Sequence, residues 1–248
     1  MDKEQRKQRA AIKNGFNEIA KNAIIHCVGM CPDNKKIDKI EELFLKRWST
    51  DWMLNNDLKF HAGKEYAWLT LRYWQRYAYD NTNRAIYAIN ALGHKPQTIM
   101  DFGAGIGLST LQLAKAFPEA QVVYQNLPGL QTDIAIQIFK DNGANNVVIK
   151  HDLPILADVV LALDTFEHIK NPLTLLTKVL TQSTKIYVDQ SAFQYPNCVG
   201  HYDTYEVNGR SETPQDTMKA FYKMILEMGY HKEKMPFFNA IPKVFSKL

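Results

Sequence analysis

Cysteine is scarce in this chain: Cys27, Cys31 and Cys198 are the only three in 248 residues, too few for a disulfide framework. Long apolar runs are missing. None follows the basic start MDKEQRKQRAAIKNG as a signal peptide would require, and none is long enough to span a bilayer. Neither sign of charge dominates, and the formal net charge of +4 is too mild to argue for nucleic acid by itself. Internal repeats and low-complexity segments are absent as well. These absences point to a soluble, cytoplasmic protein with no membrane partner. A hydrophobic share of 46% and a charged share of 23% fit that class. The length suits one large domain, or a domain with a sizeable appendage.

The pattern of the chain changes near residues 93–97. Residues 1–95 read as a helical region. KIDKIEELFLKRWSTDWML sets Ile37, Ile40, Phe44 and Trp48 near helical spacing. KEYAWLTLRYWQRYAYDNTNRAIYAINALG is long, aromatic-rich and free of proline; it stops at Gly93, and Asn81 and Asn83 are its expected breaking points. Residues 96–248 alternate strand and helix. TIMDF, AQVVYQ, NVVIK, DVVLALD and KIYVDQ read as strands, and DVVLALD is apolar throughout, as a strand buried on both faces should be. The helices between and after them are GLSTLQLAKAF, LQTDIAIQIFKDNG, NPLTLLTKVLTQ (Asn171 as cap, Pro172 at its first position) and TPQDTMKAFYKMILEMG. The tail YHKEKMPFFNAIPKVFSKL supplies two last strands. The order predicts an α/β fold: a Rossmann-like, doubly wound, mostly parallel seven-stranded sheet with an N-terminal helical region.

The first strand runs into Asp101 and then into three glycines at alternate positions, DFGAGIG. In a doubly wound fold this turn meets the ligand, and a Cβ there would block the approach. A dinucleotide fingerprint, G-x-G-x-x-G, would need a glycine where Leu108 stands. The D-x-G-x-G-x-G spacing instead resembles motif I of the class I S-adenosylmethionine-dependent methyltransferases. That resemblance extends over about residues 98–190. It implies S-adenosylmethionine as cofactor, held by Asp101, Gly103, Gly105 and Gly107. It places Asn126 where the family carries the acid that reads the ribose, a departure that trades charge-assisted hydrogen bonds for neutral ones; Gln125 is the alternative reader. Asp152 and Leu153 of KHDLP fall where the family holds the adenine, and Asp164 where it supports the methionine part. DTFEHIKNP resembles the family's D-x-x-E-H-x-x-x-P region, with Glu167 and His168 at the start of the next helix, on the acceptor side.

These residues suit methyl transfer. The cofactor carries the reactive group, so the protein has to position the acceptor and remove its proton. His168 is the candidate base and Glu167 its orienting partner or an acceptor contact. The acceptor is expected to be a small molecule methylated on oxygen or nitrogen, with RNA as the alternative. Two further readings stay open: a non-catalytic S-adenosylmethionine- or nucleotide-binding protein on the same fold, and a metal-assisted O-methyltransferase. The second would draw on Asp164, Glu167 and His168, with His201 and Asp203 of GHYDTYE nearby and Mg²⁺ or Mn²⁺ as the ion. No spacing fixes His201 near the others, and no metal is assigned. In the helical region Tyr66, Trp68, Arg72 and Tyr73 are candidates to enclose the cofactor or a flat acceptor, and the basic N-terminus reads as solvated and frayed. HCVGMCPDN resembles the radical iron–sulfur motif but has Asn34 where a third cysteine is required. A zinc site joining Cys27 and Cys31 to His26 and His61 is the lesser reading beside two half-buried thiols.

Overall fold

The computed structural model describes residues 3–47, 60, 63–181, 183–195, 198–237 and 241–247. Trp48 and His61 lie outside the described residues.

Seven strands form one sheet in the order β3-β2-β1-β4-β5-β9-β8. They are β1 (Thr98–Phe102), β2 (Gln121–Gln125), β3 (Val147–Lys150), β4 (Val159–Leu163), β5 (Ile186–Gln190), β8 (His231–Lys232) and β9 (Lys243–Ser246). β1 pairs in parallel with both β2 and β4, and β4 with β5, while β9 runs antiparallel to β5 and β8. A two-stranded hairpin, β6 (Tyr205–Val207) and β7 (Arg210–Glu212), stands apart from the sheet. The five residues of β4 are all buried, which accounts for the unbroken apolar run DVVLALD at the centre of the sheet. Each such side chain contributes about 1.5–3 kcal/mol.

The first 95 residues carry α1 (Lys3–Val28), α2 (Asn34–Arg47), α3 (Lys64–Tyr73) and α4 (Tyr79–Ala91). The basic start is helical from Lys3, with residues 3–8 exposed. Arg72 on α3 grips both oxygens of Asp38 on α2, at 2.7 and 3.0 Å, and Arg76 adds bonds to Asp38 and Glu41 at 2.8 Å. α3 and α4 form one rod whose irregularity lies at Trp74–Ala78, a π turn, and not at Asn81 and Asn83. The N–H of Tyr79 reaches back to the carbonyl of Trp74, so one extra residue is accommodated there. Asn83 instead bonds the Tyr79 carbonyl one turn back, at 3.0 Å, within an intact helix.

Sheet and helical region share their cores. Ala85, Ala88 and Ile89 of α4 pack with Ile99, Val159, Leu161, Ile186 and Val188 on one face of the sheet. Phe16, Ala20 and Ile24 of α1 pack with Trp68 and Leu71 of α3 and with Ile134 and Ile138 of α6 (Leu130–Asp141). The opposite face carries α7 (Pro172–Val179) and α8 (Pro214–Glu227), with Leu176 and Phe221 against Met100, Val160 and Tyr187. Asn171 heads α7 without a side-chain capping bond, whereas Thr213 caps α8 by accepting from Asp216 N–H at 3.2 Å. Strand order reverses between β1 and β4, so a crevice opens beyond their carboxyl ends.

Candidate active site

The loop from β1 into α5 (Leu108–Ala116) folds back over β2, because the N–H groups of Gly103 and Ala104 both donate to the Gln125 carbonyl at 3.0 Å. Three elements press on its glycines. A Cβ on Gly103 would lie 2.6 Å from Thr165 Oγ1, one on Gly105 2.7 Å from Thr70 Cγ2, and one on Gly107 2.8 Å from both Ala135 Cβ and Phe139 Cζ. The glycines thus admit protein neighbours, and this changes the expectation of direct ligand approach at all three. Gly103 and Gly105 do line the cavity described next; Gly107 does not, and serves the packing of α5 on α6. Asp101, 2% exposed, accepts the Thr110 hydroxyl at 2.6 Å. Burial raises its carboxyl to about 6, with the Thr110 bonds pulling the other way.

A cavity of about 1380 Å³ fills the crevice between the strand ends and the helical region. Asp101, Asn126, Asp152, Leu153 and Asp164 stand on its wall with Gly103 and Gly105, so seven of the eight expected cofactor residues meet there. Gln125 is committed elsewhere, since its amide donates to the His151 carbonyl at 2.9 Å. Asn126 lines the cavity beside Gln125, and its carbonyl meets His151 Nδ1 at 2.8 Å. From the helical side Tyr66, Thr70, Tyr73 and Tyr77 close the cavity. The sequence does not mark Gln190 and Asn81 as site residues, yet both belong to this wall. Gln190 Nε2 donates to Tyr73 Oη at 3.0 Å, and its other amide atom takes a close bond from Asn81. Arg72 lines the cavity with its guanidinium engaged by Asp38, and Trp68 is a core residue off the wall.

The end of β4 is a different environment. Asp164 adopts φ +57°, a left-handed conformation uncommon outside glycine. Phe166–His168 form a short 3₁₀ turn ahead of α7, so Glu167 and His168 do not open the next helix as expected. The turn gives the two side chains different settings. His168 reaches the cavity wall, with Nε2 3.7 Å from Asp164 Oδ2. Glu167 is 0% exposed and sits behind the wall, where its Oε1 accepts the Ala192 N–H at 2.7 Å. His201, which no spacing tied to this place, lies beside His168 with ring centroids 4.9 Å apart and planes at 87°. Burial, then the charge and hydrogen bond of Asp164, lift Glu167 well above the usual carboxylate range. Burial would raise Asp164 too, but neighbouring His168 and the charge of His201 hold it lower. Burial and neighbouring His168 push His201 down to about 4.

No protein-family model matches the sequence, nor does any curated protein. Solved structures do match. The mitomycin 7-O-methyltransferase MmcR superposes with a TM-score of 0.53 at 15% identity, over 80% of this chain and 60% of that one. An O-methyltransferase family protein from Burkholderia thailandensis superposes with a TM-score of 0.51 at 11% identity, over 79% of this chain and 61% of that one. The fold is the Rossmann-like α/β fold of these two proteins. This chain spans about three fifths of the length of either match.

Within this fold, the switch-point crevice is the cavity just described, and the 3-2-1-4-5 run of strands is its frame. Cys27 and Cys31 stand outside it, half-buried and free, and burial raises both thiols, whereas Cys198 is on its wall. His26 joins them in no metal-ligating group among the described residues. Among those residues no helix is long and apolar enough to cross a membrane.

Proposed function

We propose that this chain is an S-adenosylmethionine-dependent methyltransferase acting on a small molecule, most simply on a hydroxyl oxygen. One observation carries the reading: a single cavity joins residues of the loops that follow β1 and β2 to the titratable cluster at the end of β4. At about 1380 Å³ it exceeds the roughly 300–1,000 Å³ of a one-ligand site, and cofactor and acceptor fit side by side.

The residues present suit this cofactor. Asn126 offers the ribose hydroxyls one acceptor and two donors. Asp152 accepts from the adenine amino group and Leu153 packs on the ring. Asp164 faces the methionine part, and Asp101 fixes the loop through Thr110. Bound there, S-adenosylmethionine supplies an electrophilic methyl group. The chain's own work is to hold the acceptor in line, exclude water and meet its proton. Residues 1–95 act as lid and acceptor wall through Tyr66, Tyr73 and Tyr77. His168 is the group on the wall placed to meet the acceptor proton. Glu167, off the wall, is a positioning residue. The aromatic enclosure favours a small acceptor over RNA, and the three unpaired cysteines suit the cytoplasm.

Calorimetry tests the reading. The parent should bind S-adenosylmethionine and its demethylated product one to one and ignore NAD. Transfer of labelled methyl to a fraction of cell extract would then define the acceptor. Binding without transfer to any fraction favours the non-catalytic binder, and failure to bind either cofactor form overturns the reading.

A further inference from the structure

Four side chains able to ligate a metal converge at the end of β4. One ligand atom from each of Asp164, Glu167, His168 and His201 lies within 4.8 Å of all the others. Around one cation with bonds of about 2.1 Å, ligand atoms stand no more than about 4.2 Å apart. Small rotamer shifts would therefore close the set.

Independent observations favour a cation over simple packing. Glu167 is 0% exposed, and its Oε2 meets no hydrogen-bond donor. A buried carboxyl left this way against the carboxyl of Asp164 has either to hold a proton or to face a cation. The set is also held in advance. Tyr205 Oη bonds the Glu167 carbonyl at 2.9 Å, Lys170 Nζ the Thr204 carbonyl at 2.7 Å, and Glu206 N–H the Lys170 carbonyl at 2.8 Å. These bonds clamp the segment after His201 onto the turn that carries Glu167 and His168. Asp164, His168 and His201 face the cavity, while Glu167 backs the cluster from behind. Ions held so keep coordination positions open toward the cavity, as catalytic sites do.

We propose that Asp164, Glu167, His168 and His201 form a binding site for one divalent cation. Two imidazoles beside two carboxylates select a first-row transition ion such as Mn²⁺, Co²⁺ or Fe²⁺ over Mg²⁺, which prefers oxygen ligands throughout. The purpose of the site, though not its existence, rests on the methyltransferase reading. There the open positions take the acceptor hydroxyl and lower its pKa. The O–H proton leaves to water, the oxygen lone pair forms the new O–C bond, and the C–S bond breaks to release the thioether. His168 then acts as a ligand, and the activation assigned to it above passes to the ion.

The test uses the full chain, stripped with chelator and titrated with MnCl₂ alone by calorimetry. One-to-one saturable binding is expected, with MgCl₂ competing poorly. Glu167→Gln and His201→Ala should each weaken Mn²⁺ at least about tenfold, with affinity for the demethylated cofactor unchanged within a few-fold. Pulsed EPR of Mn²⁺ on the parent should show nitrogen coupling from imidazole, a readout that needs no variant. Absence of saturable binding, absence of nitrogen coupling, or parent-like Mn²⁺ affinity in folded Glu167→Gln overturns the site. Should the demethylated cofactor bind where Mn²⁺ does not, the cation site falls and the methyltransferase reading stands; the converse result leaves the site and removes the reading.

Discussion

Two strand ends flank the crevice, and each presents an acid, yet the acids live differently. Asp101 at the end of β1 has one hydrogen-bonding hydroxyl, Thr110, and no cationic partner among the described residues, and burial raises it to about 6. Asp164 at the end of β4 is half-buried on the cavity wall, where two imidazoles and a second carboxyl surround it and hold it low. The same sequence device therefore builds a scaffold in one place and a charged cluster in the other. What decides is the neighbours that long-range packing delivers. The β1 side should respond to mutation in stability and cofactor affinity, the β4 side in turnover.

The largest expected effect is on the β4 side. His168→Ala should slow methyl transfer by about 10²–10⁴ while leaving affinity for the demethylated cofactor within a few-fold. Steady-state rates beside calorimetry on the same preparation check it; an unchanged rate would take the acceptor chemistry away from this strand end. Next comes Gly107→Ala on the β1 side. Its φ of +82° and a Cβ 2.8 Å from Ala135 predict a loss of about 2–5 kcal/mol in denaturant melts, through strain and overpacking. Cofactor affinity of the folded fraction should hold, because Gly107 is off the cavity wall.

Much of this frame is legible in the sequence. The alternation of TIMDF, AQVVYQ, NVVIK and DVVLALD with helical segments follows from local periodicity, and the sheet is built as that order requires. The D-x-G-x-G-x-G spacing marks the crevice for the same local reason. The uses of the glycines are less legible, because Thr165, Thr70 and Ala135 press on them from other elements. The π turn at Trp74–Ala78 escapes because one inserted residue leaves no compositional trace. His201 is invisible beside His168 because side-chain bonds such as Lys170 to Thr204 and Tyr205 to Glu167, not sequence spacing, bring it there.

Asp101 sharpens the comparison through pH. Its folded carboxyl titrates near 6 against an ordinary 3.8, so the folded state holds the proton more tightly than the unfolded chain. The penalty of the buried charge is absent below about pH 4, grows as pH rises through 4–6, and is constant above. Asp101→Asn should accordingly stabilise the ligand-free protein by up to about 3 kcal/mol at pH 7.5, with the gain shrinking toward pH 4. Paired chemical melts across that range measure it, and a gain that is flat with pH would remove the buried charge from the account. The smallest effect is at the ribose position. Asn126→Leu should weaken S-adenosylmethionine by about 1–3 kcal/mol, and Asn126→Asp should bind as well or better, since a carboxylate restores charge-assisted bonds.

The division of the crevice into a cofactor half and an acceptor half is tested most directly by titrating the demethylated cofactor into three proteins: parent, Asn126→Leu and His168→Ala. One-to-one binding in the parent, weakened in Asn126→Leu and kept in His168→Ala, is the predicted result. A folded parent that does not bind, or a His168→Ala variant that loses as much affinity as Asn126→Leu, would contradict it.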